Sequence, residues 1–332
     1  MNEWLQSRLD KLGQMRVLDM HAHLAFLTGS GEEMWEKKEK MAVCEAGKRE
    51  LDFRYQNGIA TCLSSGTPAE WAYTKQFQNR EELFLSFGIH PWYADRYQTE
   101  EAQEAYRECD YIGEIGMDSV WCDIPLDIQQ KRLEEQLQIA ADLKKPVLLH
   151  TKGQEKKIAE LLKGFPYGIC VHWYSGTEED LEPYLDLDCY FTLGPDFPAA
   201  CSSMADQRLL CGFSQEEKAQ KRSLYRRMLQ EIPIDHLFVE TDGISAVAWA
   251  MGETEANREM LPLALQANMQ SLAEVAKKSE KELQKQICKN LSEFLTEPSK
   301  SHASIARSNK QWVCPQSETS SRFRISGSII ME

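Results

Sequence analysis

The sequence predicts an α/β protein, a (β/α)8 TIM barrel in a single domain of residues 1–298, followed by a polar tail of residues 299–332. Two observations predict this class. Short apolar or β-branched runs alternate with longer amphipathic segments, which is typical of parallel strands covered by helices. Polar residues repeatedly follow these runs, as they do at the carboxyl ends of barrel strands.

Eight apolar runs are interpreted as strands. They are Val17–Leu24, Ile59–Ser64, Leu83–Ile89, Tyr111–Ile115, Pro146–His150, Gly168–His172, Cys189–Leu193 and His236–Glu240. Their nearly continuous apolar character, without strict alternation, indicates strands that are buried on both faces. Eight such strands in series are the number that a barrel of this class requires.

The segments between these runs have helical periodicity. Asp127–Lys144 is the clearest case, because Leu133 and Leu137 belong to an apolar stripe along one face. Ser214 followed by Glu217 predicts a capping box at the start of a later helix. The predicted helices besides Asp127–Lys144 are Glu155–Lys163, Ser214–Glu231, Leu261–Lys277 and residues 281–295.

Two connections are longer than the others. Residues 25–57 follow the first strand and residues 194–213 follow the seventh. Loops after barrel strands line the active-site face, so we expect lids or substrate walls in both places. Residues 299–332 are rich in Ser and lack periodicity, and we expect them to be disordered or weakly packed.

Composition and charge restrict the function. The formal net charge of −14 argues against a high-affinity binder of nucleic-acid grooves, but not against an enzyme that meets phosphates through bound cations. The ten cysteines form no C-x-x-C pair. Because we also find neither a signal-peptide core nor an apolar run of membrane-spanning length, we expect a cytoplasmic protein with free thiols and no membrane association.

Residues of metal-ligand type stand at the ends of the predicted strands. They are His21 and His23 at strand one, His90 after strand three, Glu114 and Asp118 at strand four, His150 at strand five, His172 at strand six, and Glu240 and Asp242 at strand eight. Because these strand ends share one rim of a parallel barrel, the side chains should converge there.

Their chemistry suits a metal-activated water molecule. The i, i+2 spacing of His21 and His23 puts both rings on one face of a strand, where they can hold one ion. Glu114 could bridge two ions, and Asp242 could hold one ion and accept a proton from its bound water. Imidazole and carboxylate ligands together suit Zn²⁺, Mn²⁺ or Fe²⁺, and more oxygen-rich ligation suits Mg²⁺. We expect one or two divalent ions, Mg²⁺, Mn²⁺ or Zn²⁺, and the sequence does not fix which.

Each of these residues also has a plainer interpretation. His150 or His172 alone would be a buried histidine with satisfied hydrogen bonds, and Glu240 and Asp242 could simply cap the following helix. We interpret His236, at the start of a strand, as structural. The convergence of many such residues on one rim favours the metal site over these separate explanations.

At this point the sequence resembles the TatD family of metal-dependent deoxyribonucleases, within the amidohydrolase-like superfamily. The matching stretches are, in family order, Asp19–Leu24, Gly88–Pro91, Gly113–Asp118, Pro146–His150, His172–Gly176 and Glu240–Asp242, with Asn290 to Phe294 fitting the closing pattern. The resemblance covers roughly residues 17–295. Several motifs in the right order are jointly specific for the family and much less specific for the substrate.

The resemblance implies roles for individual residues. The implied metal ligands are His21, His23, Glu114, His150, His172 and Asp242. It further implies that Glu114 bridges two metals when both are present, and that His90 lies near the substrate phosphate without binding a metal. Asp242, Glu114 and His90 are therefore the predicted catalytic residues.

The sequence departs from the family around the expected substrate. Gly243-Ile244-Ser245 replaces the common Ala-Pro-Tyr, Lys152 replaces a frequent Arg, and Trp173-Tyr174 replaces Cys-Phe. A lysine keeps the positive charge but loses the planar, two-pronged donor of arginine. All six implied ligands are retained, so the departures concern substrate choice more than the metal site.

Three functions follow from this pattern. The leading hypothesis is a phosphodiesterase that acts on a small or single-stranded nucleic-acid substrate, such as a 3′-5′ exodeoxyribonuclease. A related amidohydrolase could open an amide, ester or lactone, and a third alternative is a non-catalytic metal-binding barrel. Nothing in the sequence determines the oligomeric state.

Overall fold

The structure is a computed structural model that describes residues 3–24, 37–201, 214–298 and 312–315. Eight strands form one sheet in which each strand pairs in parallel with the next along the chain. Their bounds are β1 Val17–Ala22, β2 Ile59–Ser65, β3 Leu83–Phe87, β4 Tyr111–Gly116, β5 Val147–His150, β6 Ile169–Val171, β7 Tyr190–Leu193 and β8 Leu237–Val239. The predicted barrel and all eight predicted strands are confirmed, with small differences at the strand ends.

In the described part of the chain, no ladder pairs β8 with β1, and the two ends of the sheet are joined by the residues that directly follow β8. The Asp242 amide donates to the His21 carbonyl oxygen at 3.0 Å. The Thr241 amide and hydroxyl donate to the two oxygens of the Asp19 carboxylate at 2.8 and 2.6 Å. These contacts close the barrel, and they involve the segments that carry predicted metal ligands.

Twelve α-helices lie within the described residues. They are α1 Glu3–Leu12, α2 Lys37–Gln56, α3 Pro68–Thr74, α4 Gln103–Glu108, α5 Leu126–Leu143, α6 Glu155–Leu161, α7 Glu178–Asp186, α8 Phe197–Cys201, α9 Gln215–Glu231, α10 Ile244–Met251, α11 Met260–Ala276 and α12 Glu280–Thr296. The five predicted helices correspond to α5, α6, α9, α11 and α12. Ser214 and Glu217 form the predicted capping box at the start of α9.

The connection after the first strand differs from the expected long loop. Residues 37–56 of it form the helix α2, and Arg54 in its last turn is completely buried. Residues 25–36 and 202–213, on which the expected lids or walls depend, lie outside the described residues. The part of the second connection that is described ends in the short helix α8.

Burial explains why the strands are apolar without alternating. Every residue of the eight strands is buried, as expected when side chains point alternately into the barrel and against the surrounding helices. Polar residues inside these strands are therefore costly unless they are paired. Among the described helices, none combines the length and the apolar character that a bilayer crossing requires.

Four residues of the predicted polar tail are described, and two of them pack against the barrel. Trp312 and Cys314 are buried, and the Trp312 indole donates to the Lys163 carbonyl oxygen at 3.2 Å. The Trp312 ring also meets Phe165 edge-on, with 5.3 Å between centroids. The other residues of 299–332 lie outside the described part of the chain.

Candidate metal centre

Two histidines at the end of β1 face the same pocket. His21 is fully buried and the His23 side chain is 14% exposed, with their rings edge to face at 4.8 Å. The Ser64 hydroxyl on the neighbouring strand lies 3.1 Å from His21 Nδ1, which leaves His21 Nε2 directed toward the pocket. The structure therefore places the two rings on one face of the strand, as the sequence predicts.

Glu114, near the end of β4, is the common neighbour of five histidines. Its Oε2 lies 3.1 Å from His23 Nε2 and 3.3 Å from His21 Nε2. Its Oε1 lies on the other side, 2.6 Å from His150 Nδ1, 3.1 Å from His172 Nε2 and 3.5 Å from His90 Nε2. One carboxylate therefore lies between two groups of imidazoles and offers a different oxygen to each.

Asp242 directly follows β8, which lies beside β1, and it approaches the first group from that side. Its Oδ1 lies 3.3 Å from His21 Nε2 and 3.9 Å from His23 Nε2. Asp242 has a φ of 55°, in the left-handed region that a non-glycine residue seldom adopts, and the following Gly243 has a φ of 94°. A Cβ on Gly243 would lie 2.6 Å from the His23 carbonyl oxygen, so this turn needs glycine to bring Asp242 to the histidines.

The proposal that Glu240 and Asp242 merely cap the following helix does not fit the structure. Gly243 occupies the position before α10, and no side chain there makes a capping hydrogen bond. Glu240 is instead buried, with Oε1 3.3 Å from His172 Nδ1. His236 lies at the amino end of β8, away from the pocket, as expected for a structural residue.

Two further carboxylates, Asp118 and Asp19, support the segments that carry the histidines. The partners of these carboxylates could not be deduced from the sequence. Asp118 Oδ2 lies 3.1 Å from His150 Nε2 and accepts a hydrogen bond from the Trp92 indole at 2.8 Å. Asp19, two residues before His21, pairs with the buried Arg54 at 2.7 Å. The available sequence signal was an acidic residue within or directly after an apolar strand.

The charges of the pocket are mutually dependent. Burial opposes ionisation of Glu114, but the surrounding histidines, His172 foremost, hold its pKa well below the usual range. Burial and His172 oppose protonation of His21, and Glu114 and Asp242 outweigh them, so that its pKa rises to about 9. The pocket thus attracts positive charge, whether protons or a cation.

The pKa of His90 shifts in the opposite direction from that of His21. Burial outweighs the attraction of Glu114 and lowers the pKa of His90 to about 4. Its Nδ1 accepts the Trp92 amide hydrogen at 3.2 Å, so a neutral ring carries its proton on Nε2, which faces the pocket. His90 is therefore a neutral hydrogen-bond donor beside the metal-ligand candidates.

The donor atoms fit a divalent metal centre. Three groups of side chains bring potential ligand atoms within 4.8 Å of one another: His21, Glu114 and His172; His21, His23 and Asp242; and His90, Glu114 and His150. His21 Nε2 is buried and has no hydrogen-bond partner, although it lies 3.3 Å from two carboxylates. A buried nitrogen in this position is what an imidazole ligand presents to an ion.

A lysine that bridges two metals would favour the alternative of an amidohydrolase that opens an amide, ester or lactone. Among the described residues around the pocket, no lysine is placed to do so. Lys152 donates from Nζ to Ser175 Oγ at 2.8 Å and lies over the Trp121 ring at 4.4 Å. It therefore contacts the rim and not the carboxylate between the two histidine groups.

Comparison with known proteins identifies a family and several relatives that this chain resembles. A sequence model of TatD related DNases matches residues 18–296. The chain is 31% identical over 167 residues to the human 3′-5′ RNA nuclease TATDN2, covering 47% of this chain and 19% of that protein. It is 28% identical over 183 residues to the metal-dependent hydrolase YjjV of Escherichia coli, covering 52% of this chain and 65% of that protein.

A third relative and two solved structures extend the comparison. The 3′-5′ ssDNA/RNA exonuclease TatD of Rahnella is 29% identical over 219 residues, which is 62% of this chain and 75% of that protein. The crystal structure of YjjV from Escherichia coli superimposes with a TM-score of 0.62 at 22% identity, over 84% of this chain and 98% of that one. A TatD family hydrolase from Entamoeba histolytica gives a TM-score of 0.56 at 16% identity. These structures establish the fold.

Proposed function

The chain belongs to the family of TatD related DNases, and from that premise we propose that it is a metal-dependent hydrolase that removes nucleotides from the 3′ end of single-stranded nucleic acid. Relatives described as a 3′-5′ RNA nuclease and a 3′-5′ ssDNA/RNA exonuclease support the substrate class. The observation that carries the proposal is the position of Glu114, whose two oxygens face separate groups of histidines.

We assign the ligands to two sites that share this carboxylate. His21, His23 and Asp242 would hold one ion, and His150 and His172 the other. Bound divalent ions would activate a water molecule and neutralise charge on the phosphate. Mixed imidazole and carboxylate donors are compatible with Mn²⁺, Zn²⁺ or Mg²⁺, and the number and identity of the ions are part of the proposal.

The remaining steps depend on side chains of the chain itself. Asp242, whose side chain is 23% exposed, is the residue we assign to accept the proton of the attacking water. Neutral His90 donates from Nε2 to a phosphate oxygen, because its Nδ1 already accepts the Trp92 amide hydrogen. A ring that stays neutral at pH 7 can fill this role without adding a charge that would compete with the metals.

A cytoplasmic location is a further part of the proposal. The seven cysteines whose side chains are described are free thiols, and five of them are buried. Burial raises the pKa of Cys109 to about 11 and that of Cys288 to about 11. Thiols held protonated in this way are structural residues of a kind compatible with a reducing compartment.

The proposal is tested by incubating the purified protein with Mn²⁺ or Mg²⁺ and single-stranded DNA or RNA labelled at the 5′ end. A ladder that shortens from the 3′ end is expected, and His21→Ala and Asp242→Asn should each reduce its rate by at least about a hundredfold. Asp186→Asn, at the exposed end of α7 before β7, is the matched control and should retain the rate. A metal-loaded protein that leaves both strands intact would overturn the proposal.

A further inference from the structure

Four tryptophans and one lysine lie together around the mouth of the metal pocket. We call Trp92, Trp121, Lys152, Trp173 and Trp249 the tryptophan rim. They follow β3, β4, β5, β6 and β8, so that each comes from a different connection at the carboxyl end of the barrel, and Trp249 lies within α10. Trp92, Trp121 and Trp249 are 40%, 57% and 49% exposed. The only other strongly exposed indole among the described residues is Trp4, in the helix that precedes β1.

Trp92 connects the rim to the pocket. Its indole N–H donates to Asp118 Oδ2 at 2.8 Å, and the same oxygen lies 3.1 Å from His150 Nε2. The indole meets His90 edge to face with 5.0 Å between centroids, and it lies 6.5 Å from the His150 ring. These contacts fix the orientation of the ring and leave part of it open to solvent beside the histidine assigned to the phosphate.

Trp121 and Lys152 form the next part of the rim. The Trp121 amide donates to Asp118 Oδ1 at 2.8 Å, which anchors the loop after β4 to the same carboxylate as Trp92. Lys152 Nζ lies 4.4 Å from the centroid of the Trp121 ring and donates to Ser175 Oγ at 2.8 Å. A cation over an indole is stabilised by the ring and remains able to bind an anion on its outer side.

Trp173 and Trp249 complete the rim on the far side. Their rings meet edge to face at 5.9 Å. The Trp173 indole N–H donates to Asp196 Oδ1 at 2.8 Å, and its ring packs on Gly194, where a Cβ would lie 2.3 Å from Nε1. The absence of a side chain at residue 194 is therefore what lets Trp173 lie flat at this position.

Exposed indoles at this position need an explanation, because burying apolar surface is favourable and these rings are held partly in water by hydrogen bonds and packing. Aromatic faces interleaved with a cation are the arrangement by which proteins bind single-stranded nucleic acid, with bases stacked on rings and the backbone near positive charge. The net charge of −14 makes the phosphates a weak source of affinity for this chain, which increases its dependence on stacking.

We propose that the tryptophan rim is a stacking platform for the bases of a single strand whose terminal phosphodiester enters the metal pocket. Lys152 contacts a backbone phosphate, and the exposed indoles Trp121 and Trp249 each stack on one base. This inference rests on the proposed function, since it assumes a nucleic-acid substrate. It assigns to the rim a preference for strands with unpaired bases, without a preference for particular bases.

The test compares two fluorescently labelled 12-residue probes, an oligothymidylate and an abasic strand of the same length, both with phosphorothioate linkages that resist hydrolysis. Binding to the Mn²⁺-loaded protein is followed by fluorescence anisotropy. The oligothymidylate should bind more tightly, and Trp121→Ala and Trp249→Ala should each weaken its binding by about fivefold or more while leaving the abasic strand nearly unaffected. Trp4→Ala is the matched control and should change neither affinity.

The inference is overturned if the two probes bind equally, or if the rim variants weaken binding no more than Trp4→Ala. Its failure is distinguishable from failure of the proposed function, which is measured as nucleotide release from unmodified DNA. Release without a base-dependent affinity would refute the platform and leave the hydrolase. Base-dependent binding without release would support the platform and refute the hydrolase.

Discussion

At the scale of single residues, the pocket depends on carboxylates that orient histidines. Glu240 is buried at the end of β8, and its Oε1 lies 3.3 Å from His172 Nδ1. This contact directs His172 Nε2 toward Glu114, at 3.1 Å. Carboxylates that hold the outer nitrogen of a metal-bound histidine typically contribute tenfold to a hundredfold in metal affinity or activity.

Glu240→Gln should therefore lower the affinity for Mn²⁺ by about ten- to a hundredfold. Burial opposes protonation of His172, but Glu114 and Glu240 together raise its pKa, so removing the charge of Glu240 should also lower the stability of the metal-free protein. Isothermal titration and urea unfolding of the metal-free protein check the two parts. A variant that loses stability and retains metal affinity would show that Glu240 only supports the fold.

The roles of some residues in the pocket can be predicted from the sequence, and the roles of others cannot. The six proposed ligands could be found because each is a His, Glu or Asp at a strand end. The roles of Asp19 and Ser64 could not, because they depend on which residues face each other across neighbouring strands, 3.1 Å apart for Ser64 Oγ and His21 Nδ1. The distances that make Glu114 the common neighbour of five histidines likewise arise only when the barrel closes.

At the scale of elements, α2 and the two closing strands are joined by a buried ionic cluster. Arg54, in the last turn of α2, is fully buried and pairs with Asp19 on β1 at 2.7 Å and with Glu50 at 3.1 Å. Asp19 in turn accepts the Thr241 amide and hydroxyl after β8. The helix therefore holds the junction from which both His21 and Asp242 project.

Arg54→Met should destabilise the fold by about 3–5 kcal/mol, because it removes the guanidinium that pairs with the fully buried Asp19 carboxylate and with Glu50. Denaturant unfolding monitored by circular dichroism measures the loss. The triple variant Arg54→Met, Asp19→Asn and Glu50→Gln also neutralises the two carboxylates and should regain part of the lost stability. Equal losses in the single and triple variants would show that the cost comes from packing and not from charge.

The elements themselves were predicted to different degrees for a physical reason. All eight strands and the helix α5 have strong patterns, because they are buried on two faces or on one regular stripe. The helix α2 was missed because its sequence is highly charged and only weakly amphipathic, even though it carries the buried Arg54. Likewise α10 is apolar on nearly all sides, and an apolar run gives no helical period.

At the scale of the whole molecule, the proposed ligands come from five separate segments around the barrel, so a bound ion connects distant parts of the chain. A ligand that binds only the native state stabilises it, by about 2.7 kcal/mol at a concentration of 100 Kd. Adding Mn²⁺ to protein stripped with EDTA should therefore raise Tm by roughly 5 °C, as followed by scanning calorimetry. Glu114→Gln should abolish the increase, and an equal increase in that variant would place the ion elsewhere.

At the opposite end of the barrel, His236 makes a pH-dependent contribution to the stability of the fold that does not involve the metal pocket. His236 Nε2 lies 3.0 Å from Asp188 and Nδ1 lies 2.9 Å from Asp235, and its ring stacks on Tyr190 at 4.7 Å. Burial opposes the charged ring, but the two carboxylates raise its pKa. Because the folded state binds this proton more tightly, the stabilisation is fully present below the unfolded pKa of about 6.5 and is lost as pH rises through the higher folded value.

His236→Gln should therefore lower the free energy of unfolding more at pH 5.5 than at pH 9, by a difference on the order of 0.5 kcal/mol because both partner carboxylates are partly exposed. Loss of the Tyr190 stacking contact affects both pH values equally, so it cancels in the comparison. Urea unfolding of the metal-free protein at the two pH values measures the difference. Asp188→Asn is the control, and in its presence His236→Gln should give a smaller difference between the two pH values. A loss of stability in His236→Gln that grows with pH would contradict the assignment of a protonated, ion-paired His236.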